Sequence, residues 1–318
     1  MLSRVADSLY WMSRYLERAE HTARVINIQL NLMLERGVGS DDAYWAHVLR
    51  TLGIELSATE AAEAQMLAVS LVRDTRHKAS IVASIIAARE NARQVREQIS
   101  SEMWEQLNRL FHSVRERGDG SAWDAREFLQ SVKEGSHLFQ GITDSTMTHG
   151  EGWQFIQAGR FLERTVAVSS LVGEHFRELP VAREESESDP VHLEWIGLLR
   201  SCTAFEAYCK AYTADLQPDR IAEFLVLHPT FPHSIRFSAG ALEKAVREIG
   251  REVAGKRSSR VERIAGRLHA TLSFGQIDEI MHGGLDLYLE TVLRQTGQVH
   301  GALHQTYVAY PIEVALEA

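Results

Sequence analysis

Apolar residues recur every three to four positions along almost the whole chain, and nowhere do they alternate for long enough to predict a strand. The clearest case is the first segment, where Leu9, Met12, Leu16, Ala19, Ala23 and Ile26 share one side of a helix. The same spacing predicts helices near 3–35, 41–52, 58–75, 78–98, 101–116, 121–140, 151–177, 190–214, 219–226, 236–254, 256–274, 276–294 and 297–305. Between them lie turn-forming stretches such as "RGVGSDD", "ERGDGS", "ITDSTMTHGEG" and "LHPTFPHS". Only six prolines interrupt the chain, so long Ala-, Leu-, Glu- and Arg-rich segments propagate. The expected fold class is all-α, a multi-helix bundle. The acidic stretch at 178–192, "ELPVAREESESDPVH", reads as a linker between two helical halves of a single body spanning 1–318.

Polar positions inside the apolar pattern carry more information than the pattern itself. Residues 14–21 read "RYLERAEH" and residues 160–167 read "RFLERTVA", an Arg-aromatic-Leu-Glu-Arg repeat. Arg14, Glu17 and Arg18 fall at i, i+3 and i+4, on an arc that also holds Tyr10, Trp11, Val25 and Leu32. Ser13, Glu20, Arg24 and Asn27 form a separate narrow strip, which is expected to face water. In the second copy the face through Arg160 runs Trp153, Ile156, Ala167 and Leu171, and Arg164 has Val168 and Leu171 beyond it. A charge within an apolar stripe costs several kcal/mol unless it is paired and hydrogen-bonded. Three readings follow: a buried ion-pair network, a ligand-binding cleft, or simple exposure.

A third polar stripe lies in "AARENARQVREQIS", where Arg89, Arg93, Arg96 and Glu97 share a face adjoined by Glu90. "EMWEQLN" adds Trp104, Glu105 and Asn108 nearby. Taken alone this is a solvated helix with spaced opposite charges. Guanidinium forks suit carboxylate or phosphate, so three such helices would line an anion pocket if their faces converged. Periodicity does not say whether they do.

Composition narrows the partners. With 45% hydrophobic and 24% charged residues the chain has the make-up of a globular protein. A net charge of −9 argues against sequence-independent nucleic-acid binding and against an anionic membrane surface, while 34 basic residues leave room for a local anion site. No apolar run reaches membrane-spanning length and the first residues carry no secretory h-region. Cys202 and Cys209 lie on what reads as one helix, about 10 Å apart along its axis, too far for a disulfide. Two reduced thiols fit the cytoplasm, the expected location.

Other signals are weak. "GREVAGKRS" places Gly250, Gly255 and Lys256 like a phosphate-binding loop, but Arg257 stands where a magnesium-binding hydroxyl is needed and no strand precedes it. The chain is therefore expected to hold no nucleotide of its own, and no cofactor or metal. The Glu-x-x-His spacings at Glu134/His137 and Glu279/His282 resemble di-metal bundles, yet a chain this rich in Glu and His yields two by chance. His300 and His304 read as surface histidines, and the terminal "QTYVAYPIEVALEA" as an arm that packs or engages a partner.

The segments "LYWMSRYLERAEHTARV", "ARENARQVREQIS", "MWEQLN", "EGWQFIQAGRFLERTVAVSSLV", "EWIGLLRSCTAFEAYCKAY" and "RIAEFLVLHPTFPHSIRFS", in that order, resemble the alpha-E family. This is a bacterial all-helical family named for its Glu-Arg motif, and the resemblance covers roughly 1–310. Each piece is weak alone; the ordered set is specific. Family members are often encoded near, or fused to, circularly permuted ATP-grasp proteins and transglutaminase-like peptidases. The resemblance thus implies a part in ATP-dependent amide or peptide bond formation or modification, with no settled catalytic mechanism. Its motif falls on Arg14, Glu17 and Arg18, on Arg160, Glu163 and Arg164, and, between them, on Arg89, Glu90, Asn91, Arg93 and Arg96. The copies diverge afterwards, since Glu20 and His21 correspond to Val166 and Ala167. The leading expectation is an Arg/Glu-lined cleft for an acidic peptide or amino acid, serving an ATP-grasp-type ligase. A structural adaptor stapled by buried pairs and a di-metal carboxylate oxidase are the alternatives.

Overall fold

Fifteen α-helices and no strand occur among the described residues. The computed structural model describes residues 1–36, 42–118, 124–178, 190–213, 215–252 and 258–308. The helices are α1 (Ser3–Arg36), α2 (Asp42–Thr51), α3 (Ala58–Ala61), α4 (Ala64–Arg73), α5 (Ile81–Gln94), α6 (Ser101–Gly118), α7 (Ala125–Thr146) and α8 (Glu151–Glu178). They continue as α9 (Pro190–Ser201), α10 (Phe205–Tyr212), α11 (Pro218–Leu227), α12 (Ile235–Glu252), α13 (Ser258–Ser273), α14 (Ile277–Gly283) and α15 (Leu285–Leu303). No described helix is long and apolar enough to cross a membrane.

The two motif-bearing helices, α1 and α8, pack on each other at the centre. Around them, α5, α7 and α9 cover α1, while α2, α12 and α15 cover α8. The apolar stripe of α1, from Leu9 to Ile26, is buried throughout, as are Leu162, Val168, Leu171 and Val172 of α8. The crossing is unusually close at Gly159: a Cβ there would lie 2.3 Å from the Tyr10 carbonyl oxygen, so only a residue without a side chain fits.

Several predicted boundaries move for local reasons. The segment 58–75 splits, with a short α3 capped by Ser57 and Glu60, which bond each other's backbone. The segment 190–214 breaks after Ser201, where Thr203 takes a φ of 52°. Cys202 therefore sits buried in a turn and Cys209 on α10, not on one helix; both thiols are free. The segment 276–294 breaks at Gly284, whose φ of 97° suits glycine, and α15 then runs unbroken through the expected gap at 295–296. Most of the acidic linker, residues 253–257 of the phosphate-loop near-miss at 250–258 and the chain beyond 308 lie outside the described residues.

The "LHPTFPHS" turn folds inward between α11 and α12. Ser234 donates from its hydroxyl to the His228 carbonyl (2.5 Å) and accepts from the Phe237 N–H (3.0 Å), capping α12. This closure brings the Pro232 carbonyl to α8, where it accepts from Arg164 (3.1 Å).

Candidate functional site

The motif copies meet and exchange partners. Glu163 of α8 accepts from Arg14 Nε at 2.7 Å and from Arg18 Nε at 2.6 Å, one guanidinium on each carboxylate oxygen. Reciprocally, Glu17 of α1 accepts from Arg164 Nε at 2.6 Å, with Arg160 Nε 3.8 Å from its other oxygen. Gln140 of α7 bridges this second half, donating to Glu17 (3.3 Å) and accepting from Arg160 (2.6 Å). The carboxylates and Arg164 have side chains no more than 8% exposed, whereas Arg18 keeps 31%. We call this arrangement the clasp. Burial acts to raise the Glu163 carboxyl, but Arg14 and Arg18 outweigh it and hold its pKa below the usual carboxylate range. Burial likewise works against the Arg14 charge, and Glu163 more than restores it.

The strip expected to face water does not. Ser13, Glu20 and Arg24 are buried; α7 packs over this side of α1. Glu20 pairs with Arg24, and His137 of α7 approaches both, 3.4 Å from the carboxylate and 3.2 Å from the guanidinium. Burial would raise Glu20, yet the His137 hydrogen bond and the Arg24 charge reverse it and leave the acid ionised. His21 and His233 sit in the same polar interior. Burial lowers both pKa values, that of His233 well below the ordinary range with Arg164 adding to the effect. The buried side of α1 at Arg14 has its own histidine: His300 of α15 lies 2.9 Å from the Tyr10 hydroxyl and 3.3 Å from Arg14. It is half-buried, whereas His304, read with it as a surface histidine, is exposed.

The clasp itself leaves little room. The gap beside it, bounded by Ser13, Gln140 and Arg160, measures about 10 Å³, enough for one water. Ligand-sized space opens one layer further out, in a cavity of about 540 Å³ between α8 and α12. Its walls include Trp153, Arg160, Phe161, Arg236, Phe237, Lys244 and His269, with Asp144 as the carboxylate. Asp144 already accepts from Trp153 Nε1 (3.1 Å) and Gln157 (3.5 Å). Arg160 joins the clasp to this cavity. Burial and the adjacent Arg164 charge lower its pKa, and its Nε has no hydrogen-bond partner.

The third polar stripe stays apart from the clasp in its bonding. Arg89 donates to Asn108 (2.6 Å) and lies over Phe111 and Trp104 of α6. Arg93 pairs with Glu90 one turn away, both well exposed. Asn91 bonds the Ala87 carbonyl, and Arg96 rests on Trp104 and reaches Ser101. Of the eleven motif residues, six build the clasp and five bond within α5 or toward α6. Arg236 and Lys244 were missed, because nothing in their own helices distinguishes them from exposed charge, and His137 was singled out only for its spacing with Glu134.

An all-helical body held by reciprocal Arg–Glu exchange between two repeat-bearing helices defines a narrow class of protein. The chain belongs to the Alpha-E family, described as a predicted alpha-helical domain with a conserved ER motif, whose model matches residues 1–308. It is similar to an uncharacterised protein of Mycobacterium bovis, at 23% identity over 91% of this chain and 35% of the relative. Two uncharacterised proteins of Mycobacterium tuberculosis match at 23% and 22% with the same coverage. The chain thus spans about a third of the length of these relatives. No solved structure matches.

Proposed function

We propose that this chain is the helical, substrate-holding component of an ATP-grasp-type ligase system that forms or modifies amide bonds. Its cavity between α8 and α12 receives an acidic peptide or amino acid. The carrying observation is the charge balance: Arg160, Arg236 and Lys244 line the cavity against one carboxylate, Asp144, that is already engaged. Guanidinium groups beside Trp153, Phe161 and Phe237 suit a carboxylate on an organic frame. The clasp contributes through Arg160, since four guanidiniums face two carboxylates and the excess positive charge extends toward the cavity. Activated phosphates come from the partner, a circularly permuted ATP-grasp protein, as the family resemblance implies; a transglutaminase-like peptidase is the second expected partner. In the mycobacterial relatives the matched region makes up 35% of a longer chain, so there it is joined to other sequence.

The test is direct binding of a fluorescent oligoglutamate peptide, followed with and without the ATP-grasp protein from the same cell. Binding should weaken at least tenfold in Arg236→Ala and in Lys244→Ala, with melting temperatures unchanged. Unaltered affinity in both variants, or no binding by the wild type, removes the cavity reading. A chain that binds peptide but never co-purifies with an ATP-grasp protein retains the cavity and loses the ligase partnership.

The adaptor reading draws on a different observation, the mutual satisfaction of the clasp charges, and accounts for Arg14, Glu17, Arg18, Glu163 and Arg164 without a ligand. The oxidase reading has less behind it. Among the described residues, neither Glu134/His137 nor Glu279/His282 belongs to a group of three or more metal-ligating side chains.

A further inference from the structure

Further along α8 from the segment 153–161 that lines the peptide cavity, His47 of α2 meets the last turns of α8. One ligand atom each from His47, Glu174 and Glu178 lies within 4.8 Å of the others, and His47 Nδ1 stands 2.7 Å from a Glu178 oxygen. We propose that these three side chains form a binding site for a divalent transition-metal ion, zinc being the best match to one imidazole and two carboxylates. Donors that close together need only small side-chain shifts to sit about 2.1 Å from a shared centre.

A second observation points the same way. His175, fully buried, has its Nδ1 3.0 Å from the Leu171 carbonyl, so Nδ1 carries the proton and Nε2 the lone pair. That Nε2 is buried without any hydrogen-bond partner, in a ring 5.2 Å from the ring of His47. A histidine whose other nitrogen donates to a backbone carbonyl has the arrangement typical of metal ligands. His175 thus puts an unpartnered, buried nitrogen next to His47, while the three grouped donors remain His47, Glu174 and Glu178.

Two arginines balance the acids. Arg50 lies 2.9 Å from Glu178 and 3.8 Å from Glu174, and Arg177 pairs with Glu174. Their side chains are 42% and 53% exposed, so both swing into water when a dication enters. Glu174 and Arg50 also line a cavity of about 470 Å³ with Ser169, Ser170 and Glu290. The metal would therefore keep an open side, and the displaced arginines would attract an anionic ligand to it.

Isothermal titration of the chelator-stripped full chain with zinc chloride tests the site, with magnesium chloride as comparison. One zinc should bind per chain, far more tightly than magnesium, which is poorly served by imidazole. Glu178→Gln and His47→Ala should each weaken zinc by about tenfold or more. Arg50→Gln should tighten it, because the competing guanidinium is gone. Circular dichroism confirms the fold of each variant, and of the two ligand substitutions Glu178, at 38% side-chain exposure against 14% for His47, is the less able to disturb it. No zinc binding by the wild type, or stoichiometric binding that neither Glu178→Gln nor Arg50→Gln alters, overturns the proposal. The second outcome would assign the metal to other histidines.

Discussion

A carboxylate that bonds two guanidiniums through separate oxygens, as Glu163 does, is more than an ion pair. It fixes the positions of Arg14 and Arg18 on the opposing helix. Desolvation makes such a pair a modest net stabiliser, but removing one member strands a buried charge and costs about 3–5 kcal/mol. Arg164→Ala should therefore lower the unfolding free energy by that order, leaving Glu17 with Gln140 and a distant Arg160. Arg93→Ala, in a well-exposed pair, should fall within about 0.5 kcal/mol of wild type. Urea denaturation of the two variants decides it: equal midpoints would mean the clasp bears no structural load. The apolar residues that bracket Arg160 and Arg164 on α8 made a buried ion-pair network one of three readings; Arg164 is buried and Arg160 partly so. Glu20 and Arg24 were not. They lie on a polar strip of α1, and only α7, distant in sequence, makes that strip interior.

The clasp depends on how near two helices come. Gly159 sets that distance, since a methyl group there would collide with the Tyr10 backbone, which cannot rotate away as a side chain would. Gly159→Ala should push α1 and α8 apart, at a cost of about 1–3 kcal/mol. Because the same movement stretches the Arg–Glu bonds, its effect should be less than additive with Arg164→Ala in a double-mutant cycle. Gly297→Ala on α15 is the control. A Cβ there meets nothing within 4 Å, so better helix propensity should stabilise by up to about 1 kcal/mol. Strict additivity in the cycle would uncouple the crossing from the clasp. Helix identity was legible throughout, since a 3.6-residue apolar period runs along each long segment. Breaks were less so: Gly284 and Gly297 look alike in sequence, and only the tertiary path gives the first a positive φ.

For the molecule as a whole, the buried histidines set a pH limit that neither helix shows alone. His21, His175, His233 and His300 all have folded pKa values below the usual 6.5, with burial the leading cause in each. His21 and His233 share their surroundings with Glu20 and Arg24; Arg164 bears on His233 and Arg14 on His300. As pH falls through about 6.5 the unfolded chain takes up protons that the folded chain refuses, so stability must drop. Each fully depressed histidine contributes about 1.4 kcal/mol per pH unit until its folded value is reached. The carboxylates act lower down. Glu20 and Glu163 have folded pKa values below 4.5, so their stabilisation is intact above that value and fades as pH falls toward the folded ones. Melting temperature should thus be level from pH 8 to 7, decline from about 6.5, and steepen below about 4.5. His233→Gln should make the upper decline shallower, the other histidines keeping part of it, and leave the lower one. A level melting temperature from pH 8 to 5 would mean that the imidazoles gain protons inside the fold, and that the polar interior around the clasp is open to water.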